Sequence, residues 1–363
     1  MPQVPPIHSR APASARMAEA RWWRPEEDGR VLCTLCPRYC HIGDGQAGFC
    51  YIRKNVGGRL YSLAYAQPCA LQIDPIEKKP LFHFMPGARI FSMGTAGCNM
   101  GCKFCQNWEI SKAREDQVSA AHLEPEEVVF AASSRRCPAI AFTYNEPTIW
   151  GEYVIDISKS ARAAGIKTVM VTNGYVTPEA LEDIYEWIDA ANVDLKGFTE
   201  DFYRKVTLTH LEPVLSALPL LKKKGVWVEI TTLLIPTLND DMDEIRRLAE
   251  WVRDNMGAEQ PLHFTAFHPD FKLTDLPSTS HELIHEARQT AIRAGLRHVY
   301  EGNVLCAEGS TTYCPGCGRA LIRRSWQAVL DNEIVAGRCP CGRSIGGFFP
   351  EKASSGGMLE SAV

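Results

Sequence analysis

From Ala88 onward, short apolar runs alternate with longer amphipathic stretches, and this alternation constrains the fold more than any other feature of the chain. The runs cover residues 88–94, 139–145, 167–174, 190–197, 226–235, 262–268 and 296–303. Several of the stretches between them open on a Ser, Thr or Asp cap or an acidic first turn, and stop at Gly165, Gly225, Gly257 or Gly295. That is the punctuation of capped helices. Apolar strands separated by helices predict repeated βα units around a parallel sheet. Six or so units predict an α/β fold built as a partial (β/α)6 TIM-like barrel. A doubly wound open sheet satisfies the same alternation. In a barrel, the chemistry gathers where strands end and loops begin.

The predicted strand ends are polar: "TYNEPT" (143–148), "TNG" (172–174), "DLK" (194–196) and "FHPD" (267–270). Turn chemistry does not require Glu146, Asp194, Lys196 or His268. Taken singly, each also reads as a surface charge or a capped histidine. If the sheet closes, they converge on one mouth with the loop that follows the first strand. That loop, "GTAGCNMGCKFCQN", carries Cys98, Cys102 and Cys105 at spacing C-x3-C-x2-C. Thiolate sites that only hold a fold usually supply four ligands. Three thiolates cover three irons of a [4Fe–4S] cubane and leave the fourth iron an open position. Asn107, just beyond, reads either as a donor to a cluster sulfur or as a plain turn residue.

The chain has fourteen cysteines, and most of the others are also clustered. Near the C-terminus, Cys314 and Cys317 are followed by Cys339 and Cys341, with twenty-one residues between the pairs. The pattern predicts a zinc ribbon, with a rubredoxin-like iron as the alternative and the tight C-x-C pair as its irregularity. Near the N-terminus, Cys33, Cys36, Cys40 and Cys50 have spacing C-x2-C-x3-C-x9-C. Four thiolates predict a closed site, for zinc or an auxiliary iron–sulfur cluster, or else free or redox thiols. Cys69, Cys137 and Cys306 stand alone and read as small apolar fillers.

The loop, with the aromatic Phe104 before its last cysteine, resembles the signature of the radical S-adenosylmethionine superfamily. "CNMGCKFCQNWEIS", "TYNEPT", "DPIEKKPLFHF" (74–84) and "FHPDFK" extend the likeness to the radical SAM enzyme of the AmmeMemoRadiSam system, which is similar to the pyruvate formate-lyase activating enzymes. The likeness covers roughly Trp22 to Pro350. It implies a [4Fe–4S] cluster on Cys98, Cys102 and Cys105 that chelates S-adenosylmethionine and cleaves it reductively. The products are methionine and a 5′-deoxyadenosyl radical, which abstracts hydrogen from a substrate. It also implies roles along the rim. Glu146 meets the methionine amino group, and Asn173 and Gly174 line the cofactor. Asp194 and Lys196 lie near the sulfonium and carboxylate, and His268 lies close to the cofactor. The implied partners are a one-electron donor of flavodoxin or ferredoxin type and an unidentified substrate. That substrate is either a protein glycine or a small molecule.

A net charge of −4 gives no general case for nucleic-acid binding, and no apolar run approaches a membrane span. Without an apolar leader segment, the expected location is the cytoplasm. The domains expected are a disordered extension (1–20), a Cys-rich N-terminal module and linker (21–87), the barrel (88–305), a zinc-ribbon-like module (306–350) and a disordered tail (351–363). The extension also reads as an over-long start, with the true one at Met17. "DPIEKKPLFHF" reads either as a solvated linker or as a segment lying over the active-site mouth. A different class of function is a metal-binding regulatory protein that docks partners through its zinc-like modules. The intact set of cysteines and rim residues speaks against it.

Overall fold

The computed structural model describes residues 17–350, so residues 1–16 and the expected tail from 351 lie outside the described residues. The alternation produces seven parallel strands and six helices. They are β1 (Arg89–Gly94), α1 (Pro125–Ser134), β2 (Ala139–Phe142), α2 (Gly151–Ala163), β3 (Lys167–Thr172), α3 (Pro178–Tyr185), β4 (Ala190–Asp194), α4 (Glu212–Lys223), β5 (Trp227–Leu234), α5 (Met242–Met256), β6 (Leu262–Ala266), α6 (His281–Arg293) and β7 (Val299–Gly302). The strands pair in chain order, parallel throughout, so the doubly wound reading is excluded. The sheet is open, because its two edges do not pair with each other. The local chemistry fits the elements. Thr177, Asp241 and Ser280 cap α3, α5 and α6 through their side-chain oxygens.

One strand departs from expectation. Ala70–Pro75 pairs antiparallel with β1 and forms an edge of the barrel sheet. It lies on the N-terminal side of the boundary expected at residue 88. The segment that follows it neither floats in solvent nor covers the mouth. It enters the barrel at the N-terminal ends of the strands. Glu229 on β5 accepts hydrogen bonds from the backbone of Phe82 (3.0 Å) and His83 (2.7 Å). Asn192 on β4 donates to the Pro80 carbonyl at 2.8 Å. Leu81, Phe84 and Met85 pack on Ile90, Ala139, Val169 and Ala190, closing the floor with an apolar plug.

The N-terminal module is two small antiparallel sheets. One contains Trp23–Pro25, Val31–Cys33 and His41–Ile42; the other contains Ala18–Glu19, Arg53–Val56 and Arg59–Ser62. The last residues of the expected disordered lead are therefore structured, since Ala18 and Glu19 pair with Ser62 and Tyr61. A buried ion pair, Arg53 to Glu152 at 2.9 Å, fixes the module to α2. The C-terminal module is a three-stranded antiparallel ribbon with its own small core of Leu321, Ile322, Ile334 and Ile345. Buried Arg324 joins it to the floor, donating to the Phe82 carbonyl at 2.7 Å. Among the described residues, no helix is long and apolar enough to cross a membrane.

Candidate active site at the C-terminal rim of the barrel

The cysteine loop leaves β1 at the C-terminal rim and is held from several sides. Gly101 and Lys103 donate their backbone N–H groups to Thr207 (2.8 Å) and Val206 (3.0 Å), which lie in the turn after β4. Lys112 donates to the Met100 carbonyl. Asn145, after β2, pins the start of the loop. Its amide donates to the carbonyls of Gly97 (2.9 Å) and Ala96 (3.3 Å) and to the Thr95 hydroxyl (3.1 Å). Gly97 has φ +86°, and a Cβ there would lie 2.2 Å from the Cys50 carbonyl oxygen. Only glycine lets the N-terminal module approach the loop this closely. From that module, the Arg38 guanidinium donates to the carbonyls of Asn99 (2.5 Å) and Leu208 (2.6 Å).

The rim residues face this loop. Glu146 is 2% exposed. One of its oxygens accepts from Thr148 N (3.0 Å) and Thr172 Oγ1 (2.7 Å), and the other from Asn173 N (2.8 Å). Burial raises its pKa above the ordinary carboxylate range in spite of these bonds. The Asn173 side chain donates to Asn99 Oδ1 at 2.9 Å and lies 3.9 Å from Cys98 Sγ. Gly174 follows with φ +68°. Lys196 pairs with Asp194 at 2.8 Å. Burial alone would lower the Lys196 pKa, but Asp194, then the Cys102 sulfur, more than offset it and hold the ammonium charged. The structure thus brings Glu146, Asn173, Gly174, Asp194 and Lys196 to the cysteine loop.

His268 behaves differently. It is exposed, and its Nδ1 lies 2.8 Å from the carbonyl of the next residue, Pro269. No hydrogen bond among the described residues joins it to the rest of the rim. Its loop nevertheless reaches the cysteines, since Lys272 N donates to the Lys103 carbonyl (2.9 Å) and Phe271 stacks on Trp108. Asn107 is exposed and serves as a turn residue, its carbonyl accepting from Ser111 N at 2.9 Å. Sequence reasoning missed Asn145 and Arg38. Asn145 lay inside a motif valued for its glutamate. Arg38 lay sixty-one positions from its target, where no local signal reaches.

The donor chemistry of the loop suits a cationic sulfur-bound cluster. Burial pushes the Cys98 thiol up to about 12, with Lys112 opposing the shift and Glu146 and Cys102 adding to it. Burial likewise raises Cys102, against Lys196. Bare thiolates here would be costly, and a core of iron ions supplies the charge that stabilises them.

The other two sets differ in spacing. In the ribbon the four Sγ atoms lie within 4.8 Å of one another, with Cys314–Cys341 and Cys317–Cys339 each 3.7 Å apart. Tetrahedral Zn–S bonds of about 2.3 Å place sulfurs about 3.8 Å apart, so the ribbon is compatible with zinc. Among the described residues, neither the N-terminal set nor the barrel loop forms such a tight group. Cys306, read as a filler, lies with His281 and Glu301 in a second tight group. There the buried Glu301 carboxylate already accepts from His281 and His285.

The family model of the Radical SAM superfamily matches residues 93–251, from the end of β1 into α5. The chain carries a radical SAM domain. This radical SAM protein is 46% identical, over 332 residues, to an uncharacterized protein of Methanocaldococcus jannaschii; the alignment takes in 91% of this chain and 99% of the other. It is 26% identical to the pyruvate formate-lyase-activating enzyme of Clostridium pasteurianum, over 51% of this chain and 83% of that one. The pyruvate formate-lyase 1-activating enzyme of Escherichia coli K12 is also 26% identical, over 50% of this chain and 75% of its own. The domain, with enzymes among its relatives, makes the chain an enzyme of radical SAM chemistry and implies a [4Fe–4S] cluster and S-adenosylmethionine.

Proposed function

We propose that Cys98, Cys102 and Cys105 hold the [4Fe–4S] cluster, that S-adenosylmethionine takes its open iron, and that the enzyme removes a hydrogen atom from a glycine of a protein substrate. The convergence of the cysteine loop with Glu146, Asn173, Asp194 and Lys196 on one rim carries the assignment. When bound, the two groups supply one-electron cleavage of a sulfur–carbon bond and a hydrogen-abstracting radical. The protein does the rest. The Glu146 oxygen that accepts only from Asn173 N has capacity left for an ammonium. Lys196, kept charged by Asp194, offers a donor to a carboxylate beside Cys102. The plug of Pro80–Phe84 closes the floor, so a substrate must enter from elsewhere.

The substrate class rests on the wall of the lumen and on the relatives. Among the described residues, Asn192 Oδ1 and Thr231 Oγ1 are buried without a hydrogen-bond partner. Asn192 reaches the plug, and Thr231 shares the face of β5 that carries Glu229. Buried polar atoms of this kind favour an occupant that brings its own polar groups. A peptide loop does so with its backbone amides, in keeping with the activating enzymes among the relatives. The electron comes from a one-electron donor of flavodoxin or ferredoxin type.

Anaerobic protein given S-adenosylmethionine and dithionite should yield methionine and 5′-deoxyadenosine. The Cys98→Ala, Cys102→Ala, Cys105→Ala variant should yield neither. Equal yields from the two proteins would refute the assignment.

A further inference from the structure

The N-terminal cysteines are a group of four metal-type ligands that neither the rim chemistry nor the ribbon uses. Cys33, Cys36, Cys40 and Cys50 come from a strand, a turn, a second strand's approach and the loop before Arg53, yet all four line one cavity. Leu35, Ile42, Phe49 and Ile149 line it with them, together with Arg38, Arg53 and Asn99. Cys33, Cys36 and Cys50 are each less than 9% exposed. No thiol is spent on a disulfide.

Spacing indicates the occupant. A single zinc gathers its four sulfurs to about 3.8 Å of one another. The ribbon cysteines do this, at 3.7 Å. The N-terminal cysteines do not, since among the described residues no three of them bring their sulfurs within 4.8 Å. Cys98, Cys102 and Cys105 form no such tight group either. A cubane binds each thiolate to a separate iron and holds the sulfurs on the order of 6 Å apart. The N-terminal set is thus spread more widely than the ribbon's single-metal group, which leaves room for a cluster.

Position gives the second argument. Asn99, inside the barrel loop, lines the N-terminal cavity. The Cys50 carbonyl oxygen packs against Gly97, and Arg38, between Cys36 and Cys40, grips the Asn99 carbonyl. The two cysteine sets are thus separated by one layer of backbone.

We propose that Cys33, Cys36, Cys40 and Cys50 hold a second [4Fe–4S] cluster, closed by four thiolates, beside the cysteine loop of the barrel. Full ligation leaves no iron for S-adenosylmethionine, so this cluster only accepts and passes electrons. One electron from an external flavodoxin- or ferredoxin-type donor reduces it, and it is reoxidised as that electron moves to the neighbouring barrel cluster. No bond to the protein forms or breaks. The proposal rests on the barrel loop holding a cluster of its own, and the test separates the two.

Iron, sulfide and zinc are counted on anaerobically reconstituted full-length protein, on the barrel-loop triple variant, and on Cys36→Ser/Cys50→Ser. Wild type should carry about eight irons per chain and each variant about four. All three should retain the ribbon's zinc, which also reports that the variants are folded. Adding S-adenosylmethionine should perturb the spectrum of reduced wild type and leave that of the triple variant unchanged. About four irons in wild type, none in the triple variant and a second zinc or bare thiols in both would overturn the second cluster while sparing the first. Undiminished iron in the triple variant would instead overturn the barrel assignment. A triple-variant cluster that responds to S-adenosylmethionine would overturn four-thiolate closure. If the double variant does not fold, the count on wild type alone still decides between about four and about eight irons.

Discussion

If Glu146 takes the ammonium as proposed, this one buried carboxylate couples ligand binding to protons. Burial raises its pKa, so the folded, ligand-free protein holds a proton there to higher pH than the unfolded chain does. Stability from this group is therefore fullest below the unfolded value and falls as pH rises toward the folded one. An ammonium needs the ionised form, so binding of S-adenosylmethionine should strengthen with pH through the raised pKa and release a proton. Titration calorimetry in buffers of different ionisation enthalpy measures that release. Glu146→Gln should abolish it and weaken binding by roughly ten- to a hundredfold, the value of a charge-assisted hydrogen bond of about 1.5–3 kcal/mol. The ligand-free variant should melt no lower than wild type, since it no longer ionises a buried acid. A variant that binds as tightly as wild type would remove Glu146 from the cofactor site. Asn145, one position earlier, makes a different contribution. It holds the loop through the carbonyls of Ala96 and Gly97, so its role was not visible from side-chain chemistry alone.

At the scale of elements, the structure shows what one sequence reveals and what it conceals. The seven parallel strands were legible because burial on both faces leaves short apolar runs, as in "AIAF" and the "VMV" of "KTVMVT". The edge strand "ALQIDP" was not. It is only partly buried, ends in proline and runs into charges, so its pairing with β1 is a tertiary fact. The rim residues were legible because each ends a strand. The attachments of the N-terminal module were not, because Arg38 and Arg53 find partners far along the chain. Those attachments are testable. Arg38→Ala should speed loss of iron from the barrel loop to a chelator several-fold. Arg38→Lys should not restore the rate, since a single ammonium cannot copy a fork reaching both Asn99 and Leu208. Arg53→Met strands the buried Glu152 carboxylate and should cost about 3–5 kcal/mol by denaturant unfolding. Adding Glu152→Leu should recover most of that. No recovery would mean that packing, rather than stranded charge, sets the cost.

Across the whole molecule, the ribbon and the active site lie at opposite ends of one barrel, joined through its floor. Arg324 is 1% exposed and bonds to Phe82, Ser310 and Thr312, with its guanidinium 4.1 Å from the centre of the Phe82 ring. Phe82 and His83 in turn donate to Glu229. Burial would raise that carboxylate, but His263 at 2.7 Å and the plug amides hold it below the ordinary range. Metal bound in the ribbon would stabilise the fold that presents Arg324, and Arg324 secures the plug. Stripping zinc anaerobically should lower the melting temperature and increase amide exchange at residues 81–84, ahead of exchange in the strands of the barrel wall. Iron on the barrel loop should stay, because that loop hangs from the opposite rim. Arg324→Met should reproduce the faster exchange at the plug with zinc still bound. Unchanged exchange at the plug in both cases would make the ribbon an independent appendage rather than the support of the floor.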